Sequence, residues 1–331
     1  MLFATGVLQN RLQSTLRAMG LIGDWQAPRR RAWITFLIPA LIVYTLFMAY
    51  PLVNALRLSF YTGTGLRPDE FVGLQNYETL FTDNIWSERF TNALGNTFIF
   101  FGVHMAVQNT LGLLFATLIA NTQLFGRNIY RTIIFIPATM SVLLTAFLWR
   151  LILNPRWGML KVLLEEVGKE NWFYAWLGDE RYALIVVALV SSWQWVGLPT
   201  MMFLAGLINI PDELSEAARV DGANALQIWW RVKVPLIRPI IGMVTMLTFI
   251  GNFNAFDVVF AMMGATGPPN YSTDIMGTFF YRAAIAGEHP VARPDMGVGA
   301  AVASITFLIL MIGVVIWMVT SRQRGEEEAF A

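Results

Sequence analysis

The chain has 331 residues, of which 56% are hydrophobic and 14% charged, with a net charge of +1. Charged residues make up about a quarter of an ordinary soluble domain, so this much apolar surface points to the bilayer as the solvent. There is no cysteine for a disulfide or thiolate metal site, only His104 and His289 for imidazole chemistry, and no basic block for nucleic acid.

Residues 1–31 precede the first long apolar stretch. Leu8, Leu12, Leu16 and Met19 recur there at helical spacing, with Arg11 and Arg17 between them. An interfacial amphipathic helix and a disordered tail both answer to that pattern. The residues that follow, 32–321, read as the membrane domain, and 322–331 as a short tail.

A helical crossing needs about 20 mostly apolar residues. Six uncharged stretches approach or exceed that length: Ala32–Leu56, Phe90–Gly126 (densest over 98–119), Thr132–Trp149, Tyr182–Pro211, Pro239–Phe256 and Met296–Ser321. The expectation is an all-α membrane protein of about six spans. The third and fifth reach full length only by extending slightly past Arg150 and Asp257. The first stretch is too long for a signal-peptide core and ends in Ala49-Tyr50-Pro51, so it reads as a retained helix.

Basic residues near the ends set the expected orientation. Arg29, Arg30 and Arg31 precede the first span, and Arg322 and Arg324 follow the sixth. Both termini are therefore expected in the cytoplasm. The segment between the fourth and fifth spans, with Arg219, Arg231, Lys233 and Arg238, is expected on the same side. Acidic residues (Asp69, Glu70, Glu78, Asp83, Glu88) gather in the first outer loop. Gly264–Asn270 reads as a further outer loop.

The cytoplasmic segment, residues 211–236 with its flank to Pro239, carries the strongest local pattern. Pro211 suits a first helical turn, Asp212 and Glu213 favour the positive end of a helix dipole, and Leu214, Ala217 and Ala218 share one face. Gly222 can end that helix, and a second piece is predicted from Ala223 to about Val232, stopped before Pro235. A plain helical hairpin between two spans satisfies the same residues.

Glu216-Ala217-Ala218, three residues, Gly222, nine residues and Val232-Lys233-Val234-Pro235 resemble the EAA loop of permeases of ATP-binding-cassette importers. Val232 and Val234 stand where that family usually has Ile and Leu, and Asp221 matches the extended form of the motif. Further likeness to maltose-type permeases of the carbohydrate-uptake family lies in Tyr50-Pro51, Leu58-Ser59-Phe60, residues 71–77, Trp176-Leu177-Gly178-Asp179, residues 203–207 with Ile210-Pro211, Phe256-Asp257 and Gly267-Pro268. The resemblance is to the first of the two permeases that such systems usually encode.

That resemblance implies a type I importer permease fold in a bacterial inner membrane. Glu216, Ala217, Ala218, Asp221, Gly222 and Pro235 would dock on a separate ATPase dimer. The partners it implies are a second, homologous permease (a heterodimer), an extracytoplasmic solute-binding protein and a sugar-like cargo. No phosphate-cradling GxxxxGK[ST] run is present, so ATP and Mg2+ are expected on the partner ATPase, and no cofactor, metal site or catalytic residue is assigned to this chain.

Polar and aromatic groups within spans mark either a solute path or a helix contact. Trp193, Gln194, Trp195, Gly197 and Pro199 interrupt the fourth stretch; Thr248, Gly251, Asn252 and Asn254 interrupt the fifth. Amides suit hydroxyl groups, and aromatic faces suit a sugar ring. By resemblance, Trp195, Gly197 and Thr200, with Thr248, Gly251 and Asn252, match part of the sugar-contacting runs of maltose permeases. Gly251 stands there for an aromatic residue, and Trp193 and Ala255 for Asn, so the match to the maltose site is incomplete. His104, Gln108 and Asn109 are expected to form packing hydrogen bonds. The competing expectation is an ion-gradient-driven secondary transporter, which would hold ionisable groups at mid-membrane and often an internal repeat.

Overall fold

The computed structural model describes residues 29–63, 70–121, 124–287 and 294–330. The expectation for residues 1–28 lies outside the described residues. Contacts divide the chain into two units, Met1–Arg57 and Leu58–Ala331.

In the first unit, α1 (Arg29–Tyr44) runs through a π turn (Thr45–Ala49) into α2 (Tyr50–Leu58). The Tyr50 N–H donates to the Thr45 carbonyl, a five-residue bond immediately ahead of Pro51. Proline has no N–H, and its ring would meet the carbonyl four residues back, so a widened turn accommodates it. The stretch Phe36–Leu58 is apolar and unburied, as a lipid-facing or partner-facing helix must be.

The second unit opens with a two-residue pairing of β1 (Tyr61–Thr62) and β2 (Glu70–Phe71), followed by α3 (Gln75–Thr82). Helix α4 (Asn84–Val103) starts where the Asp83 carboxylate accepts the N–H groups of Ile85 and Trp86. It continues through a π turn (His104–Asn109) into α5 (Thr110–Ala120). The combined 37 residues exceed what a bilayer core of about 30 Å requires.

The third apolar stretch is not one straight helix. α6 (Arg127–Phe135) passes into a 3-10 turn (Ile136–Thr139) and then α7 (Val142–Ile152), bent by 96°. Pro137 starts the tight turn, and Met140 and Ser141 are extended. The fourth stretch bends by 49° between α9 (Ala183–Trp195) and α10 (Gly197–Ile208), where Pro199 cannot supply the usual N–H. In the fifth, α14 (Arg238–Phe253) stops at Asn254, so it does not extend to Asp257 as one helix; α15 (Asp257–Met263) starts afresh. Among the described residues, three helices are long and apolar enough to cross a membrane, or up to six if each bent pair counts as one span.

Between α10 and α14 lie α11 (Asp212–Val220), α12 (Ala225–Ile228), a π turn (Trp229–Lys233) and α13 (Val234–Leu236). Pro235 does not end the helix, contrary to the sequence expectation: the Val234 N–H reaches the Trp229 carbonyl, repeating the device seen before Pro51. The break falls at Ile237, with a 67° bend into α14. Short α8 (Met159–Glu166) and α16 (Met276–Tyr281), and the long α17 (Met296–Phe330), complete the unit. Of the residues expected as a tail, 322–330 continue α17 as helix.

Among the described residues, three packed clusters hold these helices. One joins Phe100, Ala146, Val187, Ala188, Val259 and Ile275; a second joins Leu80, Phe90, Met276, Phe279 and Ala301; a third joins Ala116, Phe203, Leu204 and Ile237. Between membrane helices such contacts stabilise by close fit rather than by escape from water. Beyond the Gly/Pro-rich loop, Asp274 and Arg282 form an ion pair with both side chains fully buried, and Thr278 Oγ1 donates to Asp274 Oδ1 at 2.7 Å. Asn92 and Asn96 donate to the Tyr271 and Asp274 carbonyls at 2.8 and 2.9 Å, tying the Gly/Pro-rich loop to α4.

Candidate functional site

A cavity of about 330 Å³ opens where the bends of α9–α10 and the end of α14 face the π turn of α4–α5. Its lining is mostly apolar and aromatic (Phe100, Trp195, Met202, Phe256), with a few amide and hydroxyl groups. That mixture is usual for a solute site. Of the eight pathway candidates, Trp195, Thr248, Gly251, Asn252 and Asn254 line it, and Trp193, Gly197 and Thr200 do not.

The three that lie elsewhere have packing environments of their own. The Trp193 ring meets Trp149 edge-on at 5.5 Å. A Cβ on Gly197 would sit 2.7 Å from the Ile134 carbonyl oxygen. Thr200 is fully buried and donates to the Val196 carbonyl at 2.7 Å, with its backbone close to Gly112. Nearby, Gln194 donates to the Met140 carbonyl at 3.0 Å, fastening α9 to the linker ahead of α7.

Hydrogen bonds organise the cavity wall. His104 uses one ring nitrogen on the Phe100 carbonyl at 2.8 Å and the other on Ser191 Oγ at 3.0 Å. Asn109 donates to Thr248 Oγ1 at 3.0 Å, joining the π turn to α14. Thr248 in turn donates to the Val244 carbonyl, and Asn252 to the Thr248 carbonyl. The expectation of packing hydrogen bonds describes His104 and Asn109. Gln108 differs: it lines the cavity, and its buried Oε1 has no partner. The available signal was the spacing His104–Gln108, one helical turn apart on one face.

The second candidate region is the α11–α12 hairpin. Asp212 and Glu213 lie in the first turn of α11 and Arg219 in its last, each complementing the dipole. Gly222, at φ +86°, ends the helix in a complete Schellman motif: its N–H bonds to the Arg219 carbonyl and that of Ala223 to the Ala218 carbonyl. Asn224 then starts α12 with a capping box to Gln227. Glu216, Ala217, Asp221 and Gly222 are exposed; Ala218 and Pro235 are half-buried. Beside them Val220, Leu226 and Trp230 are 87%, 66% and 61% exposed, an apolar surface that the described residues leave uncovered.

Bent apolar helices around a mostly apolar cavity with a few amide and hydroxyl groups, and an exposed helical hairpin between two of them, define a multi-pass membrane transport protein. The chain belongs to the family of binding-protein-dependent transport system inner membrane components, whose pattern matches residues 108–324. It is 31% identical over 295 residues to the probable ABC transporter permease YurN of Bacillus subtilis, covering 88% of this chain and 96% of that protein. It is 33% identical over 279 residues to the multiple sugar-binding transport system permease MsmF of Streptococcus mutans, covering 84% and 91%. The structure of a bacterial ABC transporter that imports the acidic polysaccharide alginate shares the fold, with TM-score 0.75 at 21% identity over 95% of this chain and 99% of that one.

Proposed function

We propose that this chain is a permease subunit of an ATP-driven importer and carries a sugar or sugar-like solute across a bacterial inner membrane. The observation that carries the reading is the cavity, in which aromatic faces and amide oxygens suit a hydroxylated ring. Family membership and the names of its relatives support it: they include permeases for arabino-oligosaccharides, lactose, and trehalose or maltose. In this reading the chain crosses the membrane six times with both termini inside. The α11–α12 hairpin docks on a separate ATPase that holds ATP and Mg2+. A second, homologous permease completes the path, and a soluble binding protein delivers the cargo.

The test is affinity purification of the chain from its own cells, then ATPase assay in nanodiscs against a panel of trehalose, maltose, lactose and an arabino-oligosaccharide. Recovery of an ATPase, a second permease and a binding protein, with turnover raised by a sugar, is the expected result. Recovery of the chain without any ATPase would end this reading.

A further inference from the structure

The cavity wall contains a hydrogen-bonding demand that the protein does not meet. Gln108 is 7% exposed and Asn252 6%, and each has a buried amide oxygen without a partner. Both line the same cavity, from different helices. Buried polar atoms are nearly always paired, and leaving one unpaired is costly. The orientation of Asn252 is set by its own donor: Nδ2 bonds the Thr248 carbonyl, which leaves Oδ1 unpartnered.

A second observation concerns the turn itself. His104, Gln108 and Asn109 fall in one π turn and are all buried. His104 is committed to Phe100 and Ser191, and Asn109 to Thr248. Of the three, only Gln108 keeps an unpartnered side-chain oxygen. Among the described residues, no Lys or Arg lines the cavity. Two acceptor oxygens and no cation favour neutral hydroxyls, and disfavour a carboxylate or phosphate.

We infer that Gln108 is a specificity-determining contact for the cargo, accepting a hydroxyl hydrogen alongside Asn252, and that the cargo is a neutral sugar or polyol. The inference rests on the permease reading above. Because the chain has no cysteine, Gln108→Cys places a single thiol in it. In the assembled importer that thiol should react with a small methanethiosulfonate reagent, and the sugar from the panel that best stimulates ATP turnover should slow the reaction several-fold. Gln108→Met, similar in length but without the amide, should reduce discrimination between that sugar and its deoxy analogues about tenfold at one ring position. The corresponding uronic acid should be a poorer cargo than the neutral sugar in the wild type. An unreactive thiol, labelling that the sugar does not slow, unchanged discrimination, or a preferred uronic acid would overturn the inference. A wild-type complex stimulated by no sugar is a different result, and would remove the sugar reading on which the inference stands.

Discussion

At Gly197 the space of a side chain is taken by a neighbouring backbone. A Cβ would meet the Ile134 carbonyl oxygen at 2.7 Å and the Phe135 Cα at 3.0 Å, and neither is the movable end of a side chain. Gly197 is also the first residue of α10, so displacing it would move the bend that helps shape the cavity. Gly197→Ala is therefore expected to destabilise the subunit by about 1–3 kcal/mol, as overpacked sites do. Gly197→Leu is expected to prevent assembly. Thermal unfolding of the detergent-purified subunit checks both, and an alanine variant as stable as the wild type would mean that the two segments separate freely. Sequence resemblance groups Gly197 and Thr200 with cargo contacts, because runs along a helix do not reveal which face meets a neighbour. The Ile134 and Gly112 contacts that occupy them come from distant segments.

The hairpin between α10 and α14 depends on one backbone conformation at the level of the element. With φ at +86°, Gly222 lets the Schellman motif close and the chain turn toward Asn224. Nothing lies within 4 Å of a Cβ built there, so the obstacle to a side chain is conformational and not steric crowding by neighbours. Asn tolerates this region better than Ala, and a β-branched residue is worst. ATPase recovered in pull-downs should therefore decline in the order Gly222→Asn, Gly222→Ala, Gly222→Val, with all three inserted in the membrane. Equal recovery across the series would detach the hairpin from ATPase docking. This element was legible in the sequence because its signals are local: Pro211, the acidic first turn and Gly222 all act within a few residues, whereas the Asn224–Gln227 box that starts α12 went unread. The long apolar segments were legible for the same reason, through composition alone. Bends were harder to read. Pro51 and Pro235 are absorbed by π turns and remain within their helices, whereas Pro137 and Pro199 stand at real bends. Each outcome depends on which carbonyl the chain can reach. Gln108 was hidden because an unpartnered oxygen is defined only after every distant neighbour is in position.

For the molecule as a whole, the question is the source of energy. A carrier coupled to an ion gradient needs an ionisable group that exchanges its charge partner along the path. Among the described residues lining the cavity, only His104 and Asp257 can ionise. Both nitrogens of His104 are already engaged, and Asp257 is exposed at the first turn of α15. The remaining wall is amide, hydroxyl, aromatic and aliphatic, which can hold a neutral solute but offers little purchase for an ion gradient. In the permease reading the alternative route is the exposed hairpin, which the chain joins to α10 on one side and α14 on the other. These two elements contribute Met202, Thr248 and Asn252 to the cavity wall. Uptake by proteoliposomes of the full complex should therefore continue when a protonophore collapses the proton gradient, provided ATP is present on the ATPase side. It should stop when ATP is removed or its hydrolysis is blocked by vanadate. Uptake that collapses with the gradient while ATP is maintained would instead require His104 or Asp257 to carry a charge through the cycle, and His104→Gln and Asp257→Asn would then be the variants to separate them.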